Sequence, residues 1–186
     1  MDYAIRRHVP GSRRLSQRIS EGDGIAIIAC VDDAGAARDA ERQGAKAVAL
    51  TARIDGIREA TTLPLLWLGR GDPADADAVA VGPAEQRPGG AVEPVVLVHD
   101  EEELEQALDE LDPEIFLLAA DHDGDADPLD AVLDLLPDVP AGKLAIAHVE
   151  VESRDEVLAL ERAGIDAVLV NAGRIAELVG HGPVEV

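Results

Sequence analysis

The sequence predicts a compact α/β barrel, a (β/α)₈ or TIM barrel formed as one domain. Three observations lead to this prediction. The chain has 186 residues, which is an ordinary size for a single domain. It contains eight short apolar segments of the kind that become strands buried on both faces, as in parallel sheets. Helical patterns separate most of these segments, and this alternation is typical of a parallel barrel.

The predicted elements follow one another almost without a break. Strands are predicted over residues 25–31, 45–51, 63–68, 78–81, 95–98, 114–120, 144–149 and 167–170. Helices are predicted over residues 34–44, 54–60, 101–111, 128–136, 154–163 and 174–179. Two helices have clear N-cap residues, Asp100 and Ser153, and Gly44 and Gly164 stand where helices commonly end.

The chain is short for an eight-stranded barrel, which typically has about 250 residues. We expect the helices after strands three and four to be shortened, and residues 84–93 show no helical pattern. An open doubly wound parallel sheet is the alternative fold. The chain has neither a G-x-G-x-x-G motif nor a P-loop to favour that alternative. We predict that residues 21–186 form the barrel and that residues 1–20 precede it as a basic leader segment.

The charge of the chain excludes some classes of function. A net charge of −22, from 38 acidic and 16 basic residues, opposes nucleic-acid binding, which needs a cationic surface. So acidic a surface suits a cytoplasm of molar salt, although an acidic high-GC bacterial proteome would give the same composition. No apolar run reaches the length of a membrane span, and the N-terminus lacks a secretory signal. We therefore expect a cytoplasmic protein without nucleic-acid or membrane partners.

The leader segment, residues 1–20, has the opposite charge to the rest of the chain. It contains five arginines against one acidic residue, Asp2. Such a segment either docks on a protein or RNA partner or packs on the acidic surface of its own chain. The second interpretation is the simpler one.

The single cysteine, Cys30, excludes an intramolecular disulfide and any multi-cysteine metal site. It lies near the end of the first predicted strand, close to Asp32, so a nucleophilic thiol is one interpretation. A neighbouring carboxylate raises a thiol pKa, whereas a nucleophile needs a lowered one. A small cysteine in the core is therefore favoured.

Five segments are informative when they are read in chain order. They are SRRLSQRISEGDGIAIIACV, AARDAERQGAKAVALT, VLVHDEEELEQAL, LDAVLDLLPDVP and ESRDEVLALERAGIDAVLVNAG. Together they resemble the indole-3-glycerol phosphate synthases, the (β/α)₈ lyases of tryptophan biosynthesis, over roughly residues 12–180. The resemblance lies in framework segments. It implies a TIM barrel whose active site would lie at the carboxyl ends of the strands.

The residues that this resemblance marks for catalysis are replaced. Leu68 stands where the synthases carry a general-acid lysine on strand three, and Leu97 where they carry a general-base glutamate on strand five. Asp121 stands where an arginine would face the substrate phosphate. Ring closure with loss of carbon dioxide needs a proton donor and a proton acceptor, and a phosphate needs cations or free amides. The sequence therefore predicts a degenerate barrel without synthase activity that serves as a small-ligand-binding or protein-interaction module.

Polar residues nevertheless follow several predicted strands. The candidate ligand-binding residues are Cys30, Asp32, His99, Asp121, His148, Asn171 and Arg174. One alternative is a metal-dependent hydrolase or lyase in which His99, His122 and His148 would be ligands. Another is a divergent synthase with relocated catalytic groups. No H-x-H or H-E-x-x-H spacing supports a metal, so an acidic rim that pairs with histidines is the simpler interpretation, and no cofactor is expected.

Two further features bear on the strand-end face. The acidic run DHDGDAD, residues 121–127, resembles a calcium loop, but Ala126 and Val132 occupy the positions where an EF-hand needs glycine and glutamate. We interpret the run as a solvated acidic loop. Trp67 lies at the end of the third predicted strand, and we expect its ring to plug the strand-end cavity.

Overall fold

The computed structural model describes residues 14–73, 75–86, 88–89, 91–120 and 127–179. Eight parallel strands form a closed barrel in chain order, and β8 pairs with β1. The strands are β1 (Ala26–Cys30), β2 (Ala47–Leu50), β3 (Leu65–Trp67), β4 (Ala78–Val81), β5 (Glu93–Val98), β6 (Ile115–Ala119), β7 (Leu144–His148) and β8 (Ala167–Asn171). The predicted barrel is confirmed, and the open doubly wound alternative is wrong because the sheet has no free edge.

In the described ranges, six helices lie close to their predicted positions, and one more lies in the leader segment. They are α1 (Leu15–Ser20), α2 (Ala34–Arg42), α3 (Ile57–Ala60), α4 (Glu101–Glu110), α5 (Pro128–Leu135), α6 (Arg154–Ala163) and α7 (Ile175–Val179). The carboxylate of Asp100 and the hydroxyl of Ser153 each accept a hydrogen bond from a backbone N–H in the first turn, as their N-cap positions predict. In the described ranges, no helix has both the length and the apolar character needed to cross a bilayer.

The barrel is compact because two of its connections contain no helix. Where the structure describes them, residues 68–77 between β3 and β4 and residues 82–92 between β4 and β5 hold only turns and extended chain. The predicted shortening of these two connections is confirmed, and their described residues contain no helix at all. One consequence is that no helix from these connections covers the outer faces of β3 and β4.

The core has two layers, because alternate side chains of a strand point to opposite faces of the sheet. The inner layer fills the barrel with buried aliphatic residues, among them Ile28, Leu66, Val95, Leu117 and Ile146. The outer layer joins the strands to the helices and contains Trp67 and Phe116. Trp67 therefore faces away from the barrel interior. The expectation that it plugs the strand-end cavity is wrong, since Leu66 and Leu68 hold the inward positions on either side of it.

Helix α1 closes the amino end of the barrel. Its Leu15 and Ile19 are buried within the inner core layer. Glu93, the first residue of β5, is only 8% exposed and accepts hydrogen bonds from the backbone N–H of Leu15 and from the hydroxyl of Ser16. The Nε of Arg14 also donates to Glu93 at 3.2 Å. The sequence pattern is typical of a loop that ends at Glu93. In the structure Glu93 instead starts β5, and its carboxylate is the hydrogen-bonded anchor of α1.

The described part of the leader segment, residues 14–20, contacts acidic groups of its own chain. Besides Glu93, the guanidinium of Arg14 lies 3.5 Å from the exposed carboxylate of Glu114. Residues 1–13 lie outside the described ranges, so the arginines at positions 6, 7 and 13 are not placed. The domain boundary at residue 20 and any partner of the leader stay predictions.

Candidate functional site at the carboxyl ends of the strands

Apolar side chains hold the last inward positions of three neighbouring strands. Leu68 follows β3 directly, Ala80 lies in β4, and Leu97 lies in β5. All three pack on the inner core layer but are only half-buried, so each presents part of its surface at the carboxyl end. We call these three residues the apolar arc. In barrel enzymes this end of the strands carries the reactive groups.

Polar side chains hold the corresponding positions on the other side of the barrel. Cys30 ends β1, His148 ends β7, and Asn171 ends β8. Cys30 and Asn171 are directly paired in register across β1 and β8, whereas His148 is paired with Ala119 of β6. We call Cys30, His148 and Asn171 the polar arc. The carboxyl face therefore has one apolar side and one polar side.

The position of Cys30 in the polar arc changes the acidity of its thiol. Burial raises the pKa of its thiol from 9.0 to about 11. Nucleophilic cysteines need the opposite shift, because the thiolate is the reactive form. Cys30 is consequently a neutral, half-buried thiol that packs on the inner core layer.

Asn171 and Arg174 form contacts within the protein at the place where many barrels bind phosphate. That place is the pair of loops after strands seven and eight, together with the start of a short extra helix. Here the side-chain oxygen of Asn171 accepts from the N–H of Gly173 at 2.9 Å. The guanidinium of Arg174 donates to the carbonyl oxygens of Val151 and Glu152 at 3.0 and 2.7 Å. The contacts of Arg174 join the two loops, and together with the Asn171–Gly173 bond they engage groups that a phosphate would need.

His99 and Asp32 lie at the rim. The backbone N–H of His99 and its ring Nδ1 both contact the carboxylate of Glu103 in the first turn of α4, at 2.8 and 2.9 Å. This is the pairing expected of a histidine on an acidic rim. Asp32 is exposed, and its neighbour Asp33 accepts from the N–H of Ala36 and so caps α2.

The remaining candidates, Asp121 and His122, fall in residues 121–126, which lie outside the described residues. Asp127, the last residue of the acidic run, is described and caps α5 by accepting from the N–H of Leu129 at 2.9 Å. Among the residues that the structure describes, no three His, Cys, Asp or Glu side chains are grouped closely enough to hold a metal ion. The metal hypothesis, which needs His122, stays a prediction.

The apolar arc was not predicted from the sequence as one surface. Leu68 and Leu97 were interpreted only as replaced catalytic positions, and Ala80 was given no role. The signal that would have found all three is the alternation of inward and outward residues along each strand. Counting outward from Leu66 and Val95 gives Leu68 and Leu97 as the last inward positions, and counting from Ala78 gives Ala80.

No protein-family model matches the chain, and no curated protein matches its sequence. Among solved structures, the fold is similar to the N-acetylmannosamine-6-phosphate 2-epimerase of Clostridium perfringens. The TM-score is 0.67, and the alignment covers 91% of this chain and 94% of the epimerase. Sequence identity is 14%, so this likeness shows the TIM-barrel fold alone.

Proposed function

We propose that the carboxyl face of the barrel binds a small ligand that has an apolar body and an uncharged polar group, without catalysing a synthase reaction. The apolar arc carries this proposal. Leu68, Ala80 and Leu97 are half-exposed on three consecutive strands, at the end where related barrels carry charged side chains. On this interpretation the chain is a degenerate relative of the indole-3-glycerol phosphate synthases.

The two arcs together suit such a ligand. Binding sites for small molecules are concave and mostly apolar, with a few polar groups that fix the orientation. Covering apolar surface contributes about 25 cal/mol for each Å² removed from water. The exposed side chain of Asn171 offers its amide N–H groups on the opposite side of the barrel mouth. An amphipathic molecule that spans the mouth would therefore contact both arcs.

The two positions where the synthases carry their acid and their base give no support for proton transfer. Leucine at positions 68 and 97 neither donates nor accepts a proton. The thiol of Cys30 stays neutral at physiological pH because burial raises its pKa to about 11. General acid–base catalysis needs a donor and an acceptor with pKa values near the operating pH, both within reach of the substrate.

The charge around the face disfavours a sugar phosphate. The name of the similar epimerase indicates such a substrate for that protein. In this chain the guanidinium of Arg174 is bonded to backbone carbonyls, and the exposed carboxylates of Glu150 and Glu152 follow β7. Those carboxylates would repel a dianion. An uncharged ligand is accordingly the better fit.

A thermal-melt screen in molar potassium chloride tests the proposal. The compounds are indole, sugar phosphates, nucleotides and divalent metal ions, since a ligand that binds only the folded state raises the melting temperature. We expect the largest rise with indole or another compound of its type. A larger rise with a sugar phosphate, or indole-glycerol phosphate formation by the pure protein, would contradict the proposal. A rise with zinc or manganese alone would favour the metal-dependent hydrolase or lyase instead.

A matched pair of variants locates the binding. Leu97→Glu places a charge in the apolar arc and should abolish the rise in melting temperature. Leu108→Glu is the control, because Leu108 is also half-buried but lies on α4, in the outer layer. Both variants should melt cooperatively, and only Leu108→Glu should keep the response to the ligand.

A further inference from the structure

A cleft lies on the outer wall of the barrel, beside β2 and β3. It holds about 280 Å³ and runs between α3 and the helix-free connection of residues 68–77. In a regular barrel a helix would follow β3 and cover the wall of the sheet there. Without that helix, the outward side chains of Leu50, Leu65 and Trp67 border the cleft. Its volume is just below the lower end of ligand pockets, about 300–1,000 Å³.

Two residues that line this cleft each have a buried N–H donor with no acceptor among the described residues. These donors are the indole Nε1 of Trp67 and the Nη1 of Arg58, and both atoms are shielded from solvent. The other terminal nitrogen of Arg58 donates to the carboxylate of Asp77 at 2.8 Å and to the carbonyl of Asp75. Arg58 is thus held in place through one terminal nitrogen, and the other, Nη1, has no acceptor in the described part of the chain. Native proteins leave few buried donors unpaired, so two in one cleft need an explanation.

The ring of Trp67 packs closely against the backbone at Gly69. A Cβ atom added to Gly69 would lie 2.8 Å from Cζ2 of that ring and would overlap the carbonyl oxygen of Thr51. The absence of a side chain at position 69 therefore leaves room for the indole beside the cleft.

The charges at the cleft restrict the class of ligand. The exposed residues Asp55, Asp72 and Asp75 border the cleft, and Arg53 is the exposed cation beside them. This excess of carboxylates would repel a phosphate or a dicarboxylate. The apolar part of the lining includes Ile54, Ile57 and Pro73. A ligand that fits would have an apolar body and an uncharged oxygen acceptor.

We infer that this cleft is a binding site for a small neutral molecule whose carbonyl oxygen accepts hydrogen bonds from Trp67 Nε1 and Arg58 Nη1. The site is separate from the proposed carboxyl-face site, because Trp67 faces the outer layer and Leu68 the inner one. A small opening of the cleft would bring both donors within reach of the ligand.

The chain offers a direct probe, because Trp67 is its only tryptophan. The indole N–H therefore gives a single side-chain resonance in a ¹H–¹⁵N spectrum. Benzamide is the test compound, since it combines an apolar ring with a neutral carbonyl. Aniline keeps the ring without the carbonyl, and benzoate replaces the amide with a charged carboxylate. We expect benzamide to move the indole resonance downfield in a saturable way, at concentrations on the order of millimolar.

Each outcome decides part of the inference. An equal, saturable shift with aniline would overturn recognition of a carbonyl, and tighter binding of benzoate would overturn the preference for a neutral ligand. In a third outcome, neither benzamide nor benzoate shifts the indole resonance in a saturable way, and the indole proton exchanges strongly with water. That outcome would show that only water binds there, and it would overturn the site.

Two variants complete the experiment. Trp67→Phe keeps a ring but removes the donor, and it should weaken benzamide binding about 5- to 10-fold, measured on backbone resonances around the cleft. Unchanged affinity in a folded Trp67→Phe variant would also count against the site. Leu97→Glu should leave the shift intact, because it alters the other face of the barrel wall. Loss of the shift in a folded Leu97→Glu variant would place benzamide at the carboxyl face instead.

Discussion

The two ends of this barrel are built in opposite ways. At the amino end, α1 buries Leu15 and Ile19, and the carboxylate of Glu93 is surrounded by donors from α1. At the carboxyl end, the described inward side chains of β3, β4 and β5 are apolar yet half-exposed. The closed end thus contains a well-paired buried charge, and the open end contains hydrophobic surface that nothing in the chain's described part covers completely.

This difference indicates which end of the barrel contributes to stability and which end is available for function. In TIM barrels the amino face serves stability, and the carboxyl face carries the active site. Here the amino face follows that rule. The carboxyl face keeps the openness of a binding site, but leucine and alanine occupy positions where acids and bases would act. The comparison therefore supports a barrel that binds at its open face.

The largest expected effect is a difference in stability loss between two leucines that are paired in register on β5 and β6. Leu117 is fully buried and Leu97 is half-exposed. Leu117→Ala should lower the free energy of unfolding by about 2–5 kcal/mol, since it leaves a cavity, and Leu97→Ala by about 1 kcal/mol. Chemical denaturation measures both. Equal losses would show that the carboxyl face is as closed as the barrel centre.

The next effect tests the anchor at the amino end. Glu93→Gln should reduce stability by about 1.5–3 kcal/mol, because charge-assisted hydrogen bonds to α1 are lost from a buried position. Glu114→Gln is the control, as its carboxylate also pairs with Arg14 but is 72% exposed. That change should matter by less than about 1 kcal/mol. If the two variants melted at the same temperature, the buried anchor would not be what secures α1.

A third effect concerns the rim after β2 and β3. Gly69→Ala forces a Cβ into the carbonyl oxygen of Thr51, and backbone atoms there cannot easily move aside. We expect a loss of about 1–3 kcal/mol from this overpacking. Gly22→Ala is the control, because its added Cβ would meet nothing closer than 3.9 Å. A Gly69→Ala protein as stable as Gly22→Ala would mean that the rim is loose.

The smallest effect is the pH response of Cys30 in the polar arc. Its folded pKa is raised to about 11 from 9.0, so the folded state holds the proton more tightly than the unfolded state. The sign of the linkage follows: this contribution to stability is fully present below pH 9 and is lost as the pH rises towards 11. Cys30→Ala should remove that part of the dependence of stability on pH.

The same shift also predicts low reactivity of the thiol. A shift of two pKa units lowers the thiolate fraction roughly 100-fold at pH 8, so native Cys30 should react with iodoacetamide far more slowly than the unfolded chain. Equally fast reaction would contradict the buried position.

Much of the fold could be predicted from the sequence, because each strand contains a short apolar run and several helices have cap residues, such as Asp100 and Ser153. The candidate site could be predicted only in part. Cys30, His148 and Asn171 do end three strands, but the sequence could not show that Trp67 faces outward or that Arg174 bonds to two carbonyl oxygens. Those outcomes depend on strand register and loop contacts between residues about 20 positions apart.

The role of Glu93 could not be predicted from the residues near it in the sequence, for the same physical reason. Its donors lie in α1, almost 80 positions earlier in the chain. A glutamate after a glycine- and proline-rich segment is typical of a loop, and nothing near it in the sequence indicates burial. Such long-range pairing needs the closed barrel to bring the two segments together.

One measurement tests the central claim most directly: calorimetric titration of indole into the protein and into Leu97→Glu, at two temperatures in molar potassium chloride. Burial of apolar surface on binding gives a negative heat-capacity change. The account predicts saturable binding with such a change in the natural sequence and no binding in Leu97→Glu, with both proteins folded. The same titration curve in both proteins, or no heat in either, would contradict a ligand site on the apolar arc.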